Sequence, residues 1–238
     1  GGNGTDILHL SIRNTMANQG IEQGAGGSVA LSQNIQGNAN KQVLTISVNG
    51  LTAGTAYELF AAKGDDTNLV DVAQFTTDGN GAATLKYSSV GNGKGKGPVP
   101  DGLQPLRDVR TIAVGTFTTN VVILVTNVAT NVVLSADMTV ADKLQYLVKR
   151  DISSVDVPAS LRIKATQDNA QFRLSASNLA PTTEYFVAVN DVPQASSTTD
   201  ANGQFDISAT PPGADILTVH SVALWDSSSN VVVSTTLP

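Results

Sequence analysis

The chain has 238 residues, no cysteine, a formal charge of -6, and 14% charged against 41% hydrophobic residues. That length can bury one large core or two modest ones, and the lack of cysteine excludes disulfides and thiolate metal sites. The thin negative charge, with no basic cluster beyond Lys94 and Lys96, gives no electrostatic footprint for nucleic acid. No apolar run approaches the roughly 20 residues of a membrane-spanning helix.

Gly, Ser, Thr, Asn and Val are abundant, which predicts short strands and many turns with very little helix. The start Gly1-Gly2-Asn3-Gly4 has no initiator Met, as expected of an exported extracellular or cell-surface chain whose leader has been removed. Asn3-Gly4-Thr5 is the one acceptor triplet for N-glycosylation. Leu8, Leu10 and Ile12 then alternate with His9, Ser11 and Arg13, the period of a strand. Residues 16–27 after it are rich in Gly, Gln and Asn and read as a loose tether. A strand on such a leash either folds back onto its own domain or completes a neighbouring molecule by β-augmentation. The second outcome makes Leu8, Leu10 and Ile12 the expected subunit interface, each contributing roughly 1.5–3 kcal/mol on burial.

Strands are predicted next at 28–33, 43–48 and 57–61. Asp65, Asp66, Asn68 and Asp71 share the following loop and form a candidate calcium site, because hard cations want clustered oxygens. Their spacing matches no EF-hand, and a solvated loop is the alternative. Asp78-Gly79-Asn80-Gly81 reads as a hairpin turn leading to a strand at 83–87, since Asn and Gly tolerate positive φ. Residues 90–108 read as an exposed Gly/Pro-rich loop insertion. Within it, 91–97 contains G-x-G-x-G but leads into Pro98 and Pro100 rather than a helix, so a flexible loop is expected in place of a phosphate cradle. Two strands at 121–126 and 131–136 close this half.

The second half repeats the first in order. Leu51, Thr55 and Tyr57 return as Leu179, Thr183 and Tyr185; Thr76-Thr77-Asp78-Gly79-Asn80-Gly81 returns as Thr198-Thr199-Asp200-Ala201-Asn202-Gly203; Asn131-Val132-Val133-Leu134-Ser135 returns as Asn230-Val231-Val232-Val233-Ser234. Matching strands are predicted at 144–149, 160–165, 172–176, 185–189, 204–208, 219–225 and 230–235. The expected fold is all-β: two tandem Greek-key, immunoglobulin-like β-sandwich domains from an internal duplication, spanning 1–140 and 141–238.

The segment from Leu51 to Tyr57, with its counterpart from Leu179 to Tyr185, resembles the tyrosine corner of fibronectin type III and related immunoglobulin-like modules. The resemblance implies that Tyr57 and Tyr185 are structural, each hydroxyl bonding to backbone upstream. In that family about two strands follow the corner, whereas here about four do. The early position is similar to the copper/zinc superoxide dismutase type of Greek-key sandwich, in which the next strand carries a His-x-His pair. Glu58-Leu59-Phe60 and Phe186-Val187-Ala188 stand there instead, so the architecture carries over and the metal does not.

Little else suggests catalysis. His9 and His220 are the only histidines, too few for an imidazole-rich metal site, and read as strand-face residues. No serine lies in a G-x-S-x-G elbow. Glutamate occurs only at Glu22, Glu58 and Glu184, and the single Trp225 makes no aromatic platform for sugars. No catalytic residue and no cofactor is expected. Two function classes follow: a non-enzymatic structural subunit that joins its own kind into a homo-oligomer, pilus-like filament or surface layer, or a monomeric binding module presenting loops 64–71 and 90–108 to a surface glycan or protein.

Overall fold

The computed structural model describes residues 6–90, 96–122, 125–209 and 216–237, with backbone alone at 118–122, 125–129 and 209. The triplet Asn3-Gly4-Thr5, most of the 91–97 glycine run and the centre of the strand predicted at 121–126 lie outside the described residues.

Among the described residues the regular structure is β-strand with three single turns of 3-10 helix, and the sheets are antiparallel. Among the described residues no helix is long and apolar enough to cross a membrane. The first eight strands are β1 (Ile7–Asn18), β2 (Gly26–Gln36), β3 (Ala39–Asn49), β4 (Ala56–Lys63), β5 (Val70–Thr76), β6 (Ala83–Ser88), β7 (Val109–Val122) and β8 (Val125–Asp137). They pair in the orders β1-β2-β3-β6 and β5-β4-β7-β8. The next eight are β9 (Lys143–Asp151), β10 (Ala159–Thr166), β11 (Asn169–Ala176), β12 (Glu184–Val189), β13 (Val192–Thr198), β14 (Phe205–Ala209), β15 (Ser221–Trp225) and β16 (Val231–Thr236). Their orders, β9-β10-β11-β14 and β13-β12-β15-β16, are those of the first eight shifted by eight strands.

The chain divides into two compact units. The amino-terminal unit takes Ser11–Gln33 and Asn40–Leu144. Its core is built by alternation: Val29 and Leu31 on β2, Leu44, Ile46 and Val48 on β3, Tyr57 and Leu59 on β4, Ile112 and Val114 on β7 are all buried. The carboxy-terminal unit takes Gln145–Pro238 together with Gly1–Leu10 and Asn34–Ala39. Here Leu8 and Leu10 of β1 are buried, as are Val148 of β9, Leu161 and Ile163 of β10, Leu174 of β11, Val187 of β12 and Leu224 of β15. Asp6 pairs with Arg150 at 3.2 Å in this unit, and the Gly37 N–H donates to the Asp6 carbonyl at 3.2 Å.

Several local readings change. β5 and β13 were not expected, because each is an edge strand: β5 buries only Phe75, β13 buries nothing, and neither shows a two-residue period. The tetrads at Asp78 and Asp200 are tight turns but not hairpins, since each joins strands that do not pair with each other: β5 pairs with β4 and β6 with β3, and β13 pairs with β12 and β14 with β11. The segment after Ile12 is not a loose tether. β1 continues to Asn18, Met16 is buried, Ala17 and Asn18 pair with Ser135 and Leu134, and the Asn18 amide donates to the carbonyls of Glu22 and Ala25 at 2.8 Å each. The 90–108 insertion is not simply exposed either. Val99, Leu103 and Leu106 are buried, Leu106 N–H donates to Gln42 Oε1 at 2.8 Å, and Lys63 Nζ donates to the Gln104 carbonyl at 2.7 Å.

Candidate functional site

The two repeated corners are built from matching polar contacts. Tyr57 Oη accepts the Thr52 N–H at 3.0 Å, and Tyr185 Oη accepts the Ala180 N–H at 3.2 Å, each reaching five residues back. Thr77 Oγ1 donates to the Thr52 carbonyl and Thr199 Oγ1 to the Ala180 carbonyl, both at 2.7 Å. The same hydroxyls accept the N–H of Thr55 at 3.1 Å and of Thr183 at 3.0 Å. Leu51 N–H donates to the Gly81 carbonyl at 3.1 Å and Leu179 N–H to the Gly203 carbonyl at 3.2 Å. Gly81 and Gly203 sit at φ +73° and +71°, and a Cβ there would stand 1.9 and 2.1 Å from the carbonyl oxygens of Leu51 and Leu179. Only glycine fits that approach.

One difference breaks the match. Glu22 reaches the amino-terminal corner, where its carboxylate accepts from Tyr57 Oη and, at 2.8 Å, from Thr52 N–H. Burial and then the neighbouring carboxylate raise the Tyr57 phenol above its ordinary range. Among the described residues no carboxylate bonds to Tyr185 Oη, whose partner is the Ala180 N–H, so this corner fastens the chain. These partners hold the chain in its turn at each corner.

The other singled-out residues are scattered. Asp66 Oδ1 accepts from Asn68 N–H at 2.9 Å and Asn68 Nδ2 at 2.8 Å, closing an Asx turn, while Asp71 lies in β5 opposite Phe60. Asp65 is exposed, and no three His, Cys, Asp or Glu side chains converge among the described residues. His9 on β1 is bonded through Nδ1 to the Asn34 side chain. His220 is exposed just ahead of β15. Leu8, Leu10 and Ile12 are only 2%, 0% and 1% exposed within the single chain. Trp225 is half-buried on β15, opposite Phe186 and Val231 in register.

A feature the sequence reading passed over is the length of β7 and β8. β4 pairs with β7 only as far as Gly115, and β1 pairs with β8 only at Leu134 and Ser135, with one further bond from Gln19 N–H to the Val133 carbonyl. From Thr116↔Asn131 to Val122↔Val125 the two strands pair only with each other among the described residues. This two-stranded ribbon runs on for about 20 Å at ~3.4 Å per residue. A bulge at Val114/Gly115 marks its base, where a Cβ on Gly115 would stand 2.2 Å from the Asn131 carbonyl oxygen. Phe117, 43% exposed, packs edge-on against Phe60 at 5.2 Å between centroids and anchors the first step. Residues 111–136 contain no charged side chain. That uncharged stretch was the available signal.

Comparison of the chain with protein-family models, with curated proteins and with solved structures gave no match.

Proposed function

We propose that the chain is a non-enzymatic structural protein working outside the cell, built of two duplicated Greek-key, immunoglobulin-like β-sandwiches, which joins copies of itself through the β7–β8 ribbon. The duplication is supported by the equal pairing orders and by the corner networks that agree bond for bond. The observation that carries self-association is the ribbon itself: two strands that beyond Gly115 and Val132 pair in ladders only with each other among the described residues, in a stretch of sequence without charge. Exposed edges template pairing with another chain, and proteins that avoid this place Lys, other charged residues or Pro on them. None is placed here.

This reading moves the joint away from the first strand. β1 is used inside its own chain, where Leu8, Leu10 and Ile12 are already buried and Asp6 is paired with Arg150. Donating it to a neighbour would first strip these contacts from its own core. The ribbon has no such cost, and each added ladder bond contributes about 1 kcal/mol net.

Light scattering of the purified chain tests the proposal. The full chain is expected to form multimers of its 24.5 kDa unit. A variant in which Gly115 and Val132 are joined by a short Asn-Gly turn is expected to remain at the mass of one chain. Thr118→Lys with Asn127→Lys, which charges the ribbon without shortening it, is expected to do the same. Undiminished multimers in both variants, with the far-UV spectrum unchanged, reject the ribbon as the joint.

A further inference from the structure

All the cations of the carboxy-terminal half lie within a short stretch of sequence. Lys149, Arg150, Arg162, Lys164 and Arg173 are its only Lys and Arg after Lys143, and residues 174–238 have none. Four of the five are exposed. In register, Arg162 stands opposite Lys149 on β9 and opposite Arg173 on β11, so three cations line up directly across three adjacent strands. Lys164 follows two residues along β10, on the same face by alternation.

The fold gains nothing from this row. Like charges directly opposite each other weaken a sheet, and the inward residues Leu161, Ile163 and Leu174 already supply the core. Asp206 holds Arg173 through Nε at 3.1 Å and through Nη2, fixing the guanidinium at the end of the row without neutralising the other three. Asp6 is taken up by Arg150 at 3.2 Å, and Asp151 lies opposite Ser160, in the next row, where it accepts the Ser153 N–H at 3.0 Å. Two shallow depressions of about 970 and 490 Å³ meet on this face and share Arg162 and Arg173. Their rims add hydroxyl and amide groups from Ser160, Ser175, Gln171 and Ser208.

The geometry points to a binding face for an acidic polysaccharide, a chain of sugar rings bearing carboxylates, laid across β9, β10 and β11. Cations about 5 Å apart, the spacing of neighbouring strands, suit anions carried singly along a polymer, and guanidinium groups match carboxylates in a two-point fork. The serine and amide groups match sugar hydroxyls. A nucleic acid fits less well. No aromatic residue lines either depression on the strand face to stack bases, apart from Phe172 and Phe205, which are buried.

Titration calorimetry with polygalacturonate at low ionic strength tests the face on the full chain. Binding is expected, weakening as salt rises, with Arg162→Glu reducing affinity at least tenfold and Lys149→Glu reducing it several-fold. Lys86→Glu, an exposed cation on β6, is expected to change nothing. The ribbon-shortened variant is expected to bind as the full chain does, which separates this face from the proposed joint. Circular dichroism of each variant guards against misfolding, and Arg162→Gln supplies a milder charge removal. Unchanged affinity in the folded Arg162→Glu variant, equal binding of neutral dextran, tighter binding of duplex DNA, or no binding of polygalacturonate would each overturn the assignment.

Discussion

The two eight-stranded sets share a pairing order and a corner, yet their final hairpins are built for different ends. β15 and β16 are short, and the turn between them is tied down: Asp226 Oδ1 accepts from Ser228 N–H at 2.8 Å and Asn230 N–H at 2.9 Å, with Ser229 at φ 64°. β7 and β8 occupy the same place in the order but run on past β4 and β1, with a glycine bulge where they leave these neighbours. The insertion before β7 buries Leu103 and Leu106, and the shorter stretch before β15 has no counterpart to Leu103 among its described residues. Shared features therefore mark what the fold requires. Features present in one set only mark where a role can be added.

The largest expected effect tests the shared part. Gly81→Ala and Gly203→Ala each place a methyl against a carbonyl oxygen at 1.9 and 2.1 Å and at positive φ, so each is expected to destabilise by about 3 kcal/mol in urea titration. Tolerance at one position and not the other would break the equivalence of the corners. The next effect separates them. Tyr57→Phe removes bonds to both Thr52 N–H and the Glu22 carboxylate and is expected to cost about 2 kcal/mol, whereas Tyr185→Phe removes the Ala180 bond and is expected to cost about 1 kcal/mol. Equal losses would show that Glu22 adds nothing.

A smaller effect probes the tight hairpin. Ser229→Gly relieves a left-handed backbone position and is expected to stabilise by about 1 kcal/mol, read as a rise in melting temperature. The smallest effect is on pH. The Asp78 carboxyl is held below its ordinary value by the N–H groups of Ala82 and Asn80, and Asp226 is held down by the Asn230 side chain and nearby N–H groups. A depressed folded-state value means that their contribution is complete above the unfolded pKa of about 3.9 and is lost as pH falls through the folded value. Melting temperature is thus expected to drop below about pH 4, and Asp78→Asn and Asp226→Asn are each expected to flatten that drop slightly. An unchanged acid limb in both variants would remove the caps from the account.

Most strands were legible because alternation survives wherever one face is core: Leu161, Ile163 and Ala165 on β10 print their burial directly in the sequence. β5 and β13 were not, because edge strands bury too little to leave a period. The strand predicted at 121–126 takes in the end of β7 and the start of β8, because the run from Val121 to Thr126 carries none of the Gly or Asp that marks other turns; Ile123 and Leu124 lie outside the described residues.

The amino-acid sequence by itself determined the all-β class, the repeated order of motifs and the two corner tyrosines, since these depend on contacts within a few residues or on periods along one strand. Only the tertiary structure decided that β7 and β8 run on past β4 and β1, that Leu8 and Leu10 are already covered within their own chain, and that Lys149, Arg162 and Arg173 stand side by side. Those facts come from register between strands distant in sequence, and register is set by the packing of the whole sheet rather than by any local run of residues.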